Sequence, residues 1–445
     1  MTAMIEKSGK NYRGKYRDWL TATGFFIIGA LFRLWHLGTP KGFIFDEVYY
    51  AKNAHSLLLH GVEMDAKGAA EFIVHPSVGK WLIAIGIKIF GFNEFGWRFS
   101  SAIIGSLSIA LIYFVAKRLF NNYLISCLAA VLTLADGLHL VHSRTALLDL
   151  FLMFFVLLAF LFILKSQHWA AGMALGLAAS TKWSGLYYML AFLLFVIYAD
   201  YRQNRALEIE NSLLVTLKGS WIRFLQFVLL PVAIYIGSWG GWLISARGYD
   251  RKWGRSRFLS LWHYHAEILN FHRSLTDKHP YSANPWSWLI QGRPTSFFYS
   301  TSKGCGSTGC SQEVLALGTP LLWWSATIAI AVTFGYWISR REWQSGLLLL
   351  SVAAGYLPWF FLQKRTTFSF YSIVFEPFLI LIICYVIVKF LEPDSHGNLP
   401  QQRLYAIYGY VALVIVNFIY FLPLYMGTVT SYSSWLSRMW FPSWI

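Results

Sequence analysis

Charge is what this 445-residue chain has least of: Asp, Glu, Lys and Arg make up 13% of it, about half the share of a soluble globular protein. That deficit excludes an ordinary water-soluble fold, because the runs between charges are too long for a soluble core and hydrophobic residues reach 56%. Acidic groups are scarcer still, 21 against 37 Lys and Arg, which leaves a formal net charge of +16. In a soluble chain such an excess would raise nucleic acid as a partner. Here the cations fall in short segments between apolar runs, where membrane lipids and lipid phosphates are the fitting partners and nucleic acid is not. No internal repeat is evident, so the inverted halves of many secondary transporters find no support. No cleavable leader is expected either: the start is polar and basic for roughly 18 residues and then enters a long apolar helix. Cysteine is rare, with four residues. Cys127 and Cys384 lie in apolar runs, whereas Cys305 and Cys310 share a Gly/Ser-rich stretch where an oxidising compartment would join them as a disulfide. A zinc site there would need two further ligands that the stretch does not supply.

What is abundant is apolar and aromatic: 36 Phe, 25 Tyr and 21 Trp, rings that favour the headgroup region of a bilayer. Crossing the hydrocarbon takes roughly 20 mostly apolar residues. Runs of that kind are read at 19–38, 98–117, 123–138, 146–164, 169–181, 184–199, 222–243, 315–338, 345–362, 371–390 and 404–425, predicting an all-α integral membrane bundle of about eleven spans. The 169–181 run is short and Gly/Ala-rich, which places it inside the bundle. Lys7, Lys10, Arg13, Lys15 and Arg17 precede the first span and set the N-terminus in the cytoplasm. Lys117, Arg118, Lys165, Arg202, Arg205, Arg340, Arg341 and Arg403 then fall on the same side. The expected organisation is a basic N-terminus at 1–18, a bundle over 19–425, outer segments at 39–97 and 244–314, and an outer tail at 426–445. The 79–92 run, too short to span, is expected to lie in the interface. An amphipathic helix is expected there too, from the apolar residues at 258, 261, 262, 268 and 271.

Chemistry-bearing residues gather at the outer rim. In Phe45-Asp46-Glu47-Val48-Tyr49-Tyr50, a helix would put Asp46, Tyr49, Tyr50 and Asn53 on one face. Two adjacent carboxylates at a membrane surface are costly unless used or paired, although Asp46 as an N-cap and Glu47 as a first-turn acid would also account for them. His75-Pro76-Ser77-Val78-Gly79-Lys80 offers a histidine and a phosphate-binding cation, or a lysine that merely snorkels. Arg144 falls at the rim and Asp149 a turn inside, where a carboxylate is a functional candidate by default. Read as one helix, His142, Thr145 and Asp149 share a face. His139 and His142 alone make a weak metal pair, and no metal is assigned. Lys182 and the pair Lys364-Arg365 end later spans on the same rim.

These elements resemble the protein O-mannosyltransferases, in the compact bacterial (actinobacterial) form. The resemblance runs in order along nearly the whole chain. It is carried by Phe45-Asp46-Glu47, His75-Pro76 to Gly79-Lys80, Ser143-Arg144 to Leu148-Asp149, and Thr181-Lys182-Trp183-Ser184-Gly185. Tyr264-His265, Phe271-His272, Pro285-Trp286, Gly292-Arg293-Pro294 and Phe370-Tyr371 continue it. Ser77 departs from it, standing where the family often has a second proline. The segment 244–314 is too short for the soluble domain that eukaryotic members insert. The resemblance implies a GT-C fold with an extracytoplasmic active site in a bacterial plasma membrane. It also implies transfer of mannose from polyprenyl-phosphate mannose to Ser or Thr of secreted proteins, with inversion.

On that reading Asp46 is the catalytic base and Glu47 helps to hold the acceptor. Arg144, Lys80, Lys182 and Arg365, taken in that order, are candidates for stabilising the donor phosphate; His75, Asp149 and Tyr49 complete the candidate site. A divalent cation travelling with the donor has no ligand set in the sequence. The alternatives are another GT-C transferase using a different lipid-linked sugar or a lipid or glycan acceptor, and a membrane transporter.

Overall fold

Long apolar runs become long helices wherever capping residues bracket them, and the computed structural model describes these over residues 12–302, 304–307, 309–393 and 401–445. Lys7 and Lys10 lie outside the described residues. From α1 (Tyr12–Leu34) the chain enters the 39–97 segment, which contains α2 (Glu47–His60) and α3 (Val78–Phe90). α4 (Glu94–Phe120) shows the sequence logic: the Asn93 side chain accepts from the Gly96 N–H, and Glu94 sits in the first turn. Lys117 and Arg118 sit in the last turn, and Asn121 ends the helix in the left-handed region. Acid at the start and base at the end both favour the helix dipole.

α5 (Tyr123–Leu134) and the short α6 (Gly137–His142) follow. α7 (Leu148–Leu164) is apolar on every side and almost wholly buried, packed between α4 and α8 (His168–Ala179). A helix without a polar face belongs at the centre. α8 is the Gly/Ala-rich run, and it is interior: a Cβ on Gly172 would fall 1.9 Å from the Gln226 carbonyl oxygen. After α9 (Gly185–Ala206), α10 (Ser212–Phe224) and α11 (Leu230–Ser238) are joined through a π-turn at Leu225–Leu229 into one long helix. It starts ten residues before the run read at 222–243, because its first turns carry polar residues. α12 (Gly240–Ile244) leads into the 244–314 segment, which holds α13 (Arg257–Ser274). The bundle closes with α14 (Pro320–Arg340), α15 (Trp343–Tyr356), α16 (Glu376–Phe390) and α17 (Gln401–Met426), and α18 (Tyr432–Leu436) lies in the tail.

Five of the described helical stretches are long and apolar enough to cross a membrane: Glu94–Phe120, Ser212–Ser238, Pro320–Arg340, Trp343–Phe361 and Gln401–Met426. The expected eleven spans therefore exceed what helix length alone supports. α5 and α8 have 12 residues each, about 18 Å at 1.5 Å per residue against a hydrocarbon thickness near 30 Å.

One element was not anticipated. β1 (Thr295–Ser302), β2 (Cys310–Ala316) and β3 (Thr430–Ser431) form an antiparallel sheet in that order. A disulfide between Cys305 and Cys310 closes the β1–β2 hairpin, with Cα atoms 5.9 Å apart. The span read from 315 accordingly begins only at Pro320. The tail folds onto this sheet: Trp435 donates to Glu313 at 2.6 Å, and Arg293 donates to the Ile445 carbonyl at 2.8 Å.

The bundle has two chemically different ends. Arg98 and Lys117 stand at opposite ends of α4, roughly 30 Å apart along its axis. Arg118 donates to the Leu164 carbonyl, which brings Lys165 to the same end as Lys117. α9 runs from Gly185, beside Lys182, to Arg202 and Arg205 at its far end. Asp46, Asp149 and Lys182 lie at the Arg98 end.

Candidate active site

Phe45, Asp46 and Glu47 are consecutive, yet the fold gives them three separate environments. Phe45 adopts a left-handed backbone (φ 47°) and stacks on Phe297 at 4.7 Å, with the Phe370 ring edge-on at 5.3 Å. That anchor fixes where α2 begins. Glu47 turns into the protein and is fully buried. Its Oε1 accepts from Arg98 Nε at 2.8 Å and the Ala146 N–H at 3.0 Å. Its Oε2 accepts from Arg98 Nη2 at 2.8 Å and the Ile44 N–H at 3.0 Å. Arg98, also fully buried, spends its remaining donors on the carbonyls of Leu37, Pro40 and Gly42. A carboxylate with four filled acceptor directions has none left for a substrate. Glu47 is held as a brace between the 37–47 loop, α4 and the 146 turn, an arrangement that lends no support to its reading as an acceptor ligand.

Asp46 points the other way. It holds the N-cap position of α2 but makes no side-chain cap bond, so capping does not explain it. Its carboxylate faces the Tyr50 hydroxyl, Lys182 and Asp149. It lies in a cleft, surrounded by protein yet reachable by solvent. Burial pushes its carboxyl up to about 6, with Asp149 adding to the rise and Lys182 and Tyr50 opposing it. Among the described residues it makes no ion pair, unlike Glu47, Asp149 and Glu63. The shared face read for α2 holds for Tyr50 and Asn53, which are buried, but not for Tyr49, which is 60% exposed. Asn53 donates to Glu71 at 2.8 Å rather than to Asp46.

The four candidate cations separate just as clearly. Arg144 is buried and donates to the carbonyls of Arg33 (2.8 Å), Trp35 (2.7 Å) and His36 (3.0 Å). It caps the C-terminal end of α1. Lys80 does not snorkel: it is buried in an ion pair with Glu63 and donates to the His75 carbonyl at 3.0 Å. Glu63 neutralises Lys80, whereas Arg144 keeps its charge but aims three of its N–H groups at the end of α1. Lys182 Nζ meets both oxygens of Asp149, at 2.9 and 3.0 Å, and lies over the Tyr371 ring at 4.5 Å. Arg365 has no ion pair among the described residues, and its Nε is buried without a partner. Its Nη2 lies 3.4 Å from His272 Nδ1. Burial and then the Arg365 charge hold His272 down at about 4, so it stays neutral and can accept. Of the four, Arg365 and then Lys182 have the charge least committed to the frame around them.

His75 lies between the two groups, its ring 6.1 Å from Tyr50 and 5.5 Å from His272. The turn after it is held by close packing, since a Cβ on Gly79 would come within 2.7 Å of Leu148. This joins the start of α3 to the start of α7. The helix read through His142, Thr145 and Asp149 is broken between His142 and Leu148. Asp149 therefore enters the site from the first turn of α7. His139 is no metal ligand, because its ring nitrogens face Arg33 and Ser108, each at 2.8 Å. His142 is enclosed behind Phe297 and Phe370.

Sequence reading missed Arg98, Glu63 and Glu71. The available signal was physical: a lone arginine opening an apolar helix, as Arg98 does, must have a partner. The cleft has one free carboxylate with a raised pKa, cations a few side chains away and aromatic walls. It can take a proton from a hydroxyl while neutralising an anion beside it.

Comparison with known proteins bears on the reading. A family model described as dolichyl-phosphate-mannose-protein mannosyltransferase matches residues 23–239, and one described as the C-terminal four-transmembrane region of protein-O-mannosyltransferase matches 257–444. A polyprenol-phosphate-mannose–protein mannosyltransferase from Mycobacterium tuberculosis is 34% identical, the match covering 95% of this chain and 90% of that protein. The enzyme of the same name from Corynebacterium glutamicum is 31% identical over 92% of this chain and 88% of its own length. The Saccharomyces cerevisiae Pmt1-Pmt2 complex, solved with its sugar donor, is 15% identical and superposes with a TM-score of 0.81, covering 96% of this chain and 93% of that one. This last likeness is one of fold, the GT-C architecture of a membrane-embedded helical bundle.

Proposed function

Since the chain belongs to the dolichyl-phosphate-mannose-protein mannosyltransferase family, we propose that it transfers mannose from polyprenyl-phosphate mannose to Ser or Thr hydroxyls of secreted proteins. The observation that carries the chemistry is the pairing pattern at the rim: Glu47, Asp149 and Glu63 are neutralised by cations, while Asp46 is not. In this mechanism Asp46 accepts the proton of the attacking hydroxyl. The oxygen attacks the anomeric carbon from the face opposite the phosphate, the bond from that carbon to the phosphate oxygen breaks, and the configuration inverts. The leaving group is polyprenyl phosphate, already a weak base, which needs charge stabilisation more than protonation. Arg365 supplies it, with Lys182 second. Lys182 also keeps the Asp46 carboxylate ionised in a buried setting, and Asp149 holds Lys182 over Tyr371.

The orientation that suits this chemistry has the Asp46 end extracytoplasmic and the Lys117, Lys165 and Arg202 end cytoplasmic. It is supported by the cations of the short connecting loops, which fall at the second end while the long segments are exempt from the rule, and by the disulfide at the first. The membrane is proposed to be a bacterial plasma membrane, a reading supported by the mycobacterial and corynebacterial sources of the named relatives.

The reading is tested with membranes containing the protein, radiolabelled mannose on polyprenyl phosphate, and a Ser/Thr-rich peptide. Label should enter the peptide and be released by base. A preference for another lipid-linked sugar, or label appearing only in lipid or glycan, would replace it with a different transferase of the same fold.

A further inference from the structure

We propose that Asp250, His263 and Glu267 form a divalent-cation site, suited above all to zinc, on the surface of the second outer segment and separate from the Asp46 cleft. His263 and Glu267 stand one helical turn apart on α13, so their side chains leave the same face. Asp250 approaches from the preceding turn. His263 Nε2 lies 3.7 Å from Asp250 Oδ2 and 3.7 Å from Glu267 Oε1, and all three ligand atoms lie within 4.8 Å of one another.

These separations are too long for hydrogen bonds and near what a shared ion requires. Two ligands about 2.1 Å from a tetrahedral centre lie about 3.4 Å apart. The imidazole is already oriented: the Trp253 ring stacks flat on it, 3.9 Å away with 4° between the planes. The second Glu267 oxygen is buried without a hydrogen-bond partner. Two carboxylates converge here inside a stretch otherwise dominated by Arg247, Arg251, Lys252, Arg255 and Arg257. One nitrogen and two oxygens suit zinc, with a water at the fourth position.

Such an ion would fasten the 245–256 turn to α13. The opposite face of that helix reaches the cleft: Tyr264 Oη accepts from the Ile73 N–H at 2.9 Å, and His272 lies beside Arg365. The site would thus steady the helix that carries His272 without touching the reaction.

The test uses the full chain in detergent, stripped with a chelator and titrated with zinc chloride by calorimetry, with a magnesium arm. Wild type should bind one equivalent of zinc and melt at a higher temperature with it, and magnesium should do neither. H263A/E267Q should lose both effects while eluting as wild type on gel filtration. If that variant aggregates, His263→Gln, which retains a planar group against Trp253, serves in its place. Absence of zinc binding in wild type, or an unchanged titration in the variants, would overturn the proposal.

Discussion

Replacing Glu47 by Gln removes one charge and almost no volume, and the geometry around it sets the cost. The carboxylate is fully enclosed and receives two bonds from Arg98 and two from backbone N–H groups. Glutamine keeps one acceptor oxygen and turns a donor NH2 toward the others, so one Arg98 bond and one backbone bond become clashes of donors. Breaking a buried ion pair by removing one partner costs about 3–5 kcal/mol, most of it the stranded charge. Here Arg98 keeps carbonyls of Leu37, Pro40 and Gly42 as neutral partners, so the lower end, about 3 kcal/mol, is expected. The assay is thermal unfolding in detergent, read beside transfer kinetics per folded molecule. The expected result is a melting point lowered by several degrees with little change in the KM for acceptor peptide. Combining Glu47→Gln with Arg98→Met should recover part of the loss, since no stranded charge remains. A protein as stable as wild type with a strongly raised acceptor KM would refute the brace and restore Glu47 as an acceptor ligand.

Three further predictions concern the cleft and its frame. A base must be ionised to act, so transfer should halve near pH 6 and fall about tenfold per unit below it. Lys182→Met should move that midpoint upward, because the cation favours the Asp46 carboxylate; a midpoint that stayed near 4 in wild type would contradict the buried base. Arg365→Ala should lower kcat by about 100-fold, the usual cost of one charge-stabilising donor, with Arg365→Lys recovering part of it; a change confined to peptide KM would count against the phosphate role. Arg144→Ala should cost about 4–5 kcal/mol of stability, from three charged hydrogen bonds lost at the end of α1 at about 1.5 kcal/mol each, while donor affinity per folded molecule stays the same, as a direct lipid-binding assay would show.

How far the sequence reveals this molecule depends on the range of the interaction. α4, α7 and α17 follow from local signals: uninterrupted apolar stretches in all three, and in α4 also Asn caps with acid first and base last. The clustering of candidate residues at one end also follows from counting spans and charges. What local pattern cannot reveal is whether a cation is already taken. Arg144 is spent on carbonyls 108 or more positions away, and Lys80 on Glu63 in a loop without regular pattern. Arg365 read as one more rim cation, yet among the described residues it has no ion pair and its Nε is buried without a partner. The same holds for the adjacent carboxylates, alike in sequence and opposite in environment, because one residue of helix rotation sends Glu47 inward and leaves Asp46 at the cleft. The β1–β2 hairpin was hidden for another reason: its turn reads as a Gly/Ser-rich loop, and only the last two residues of its second strand fall in the apolar run read from 315.

The central claim is that Asp46 alone removes the proton, and Asp46→Asn tests it most directly. The substitution keeps size and the possibility of a bond with Tyr50 but cannot accept a proton. Measured as label transferred from polyprenyl-phosphate mannose to peptide, per molecule of protein with wild-type elution and melting, activity should fall by roughly 100- to 10,000-fold. Donor binding should remain. Near-wild-type transfer by a well-folded Asp46→Asn protein would contradict the account.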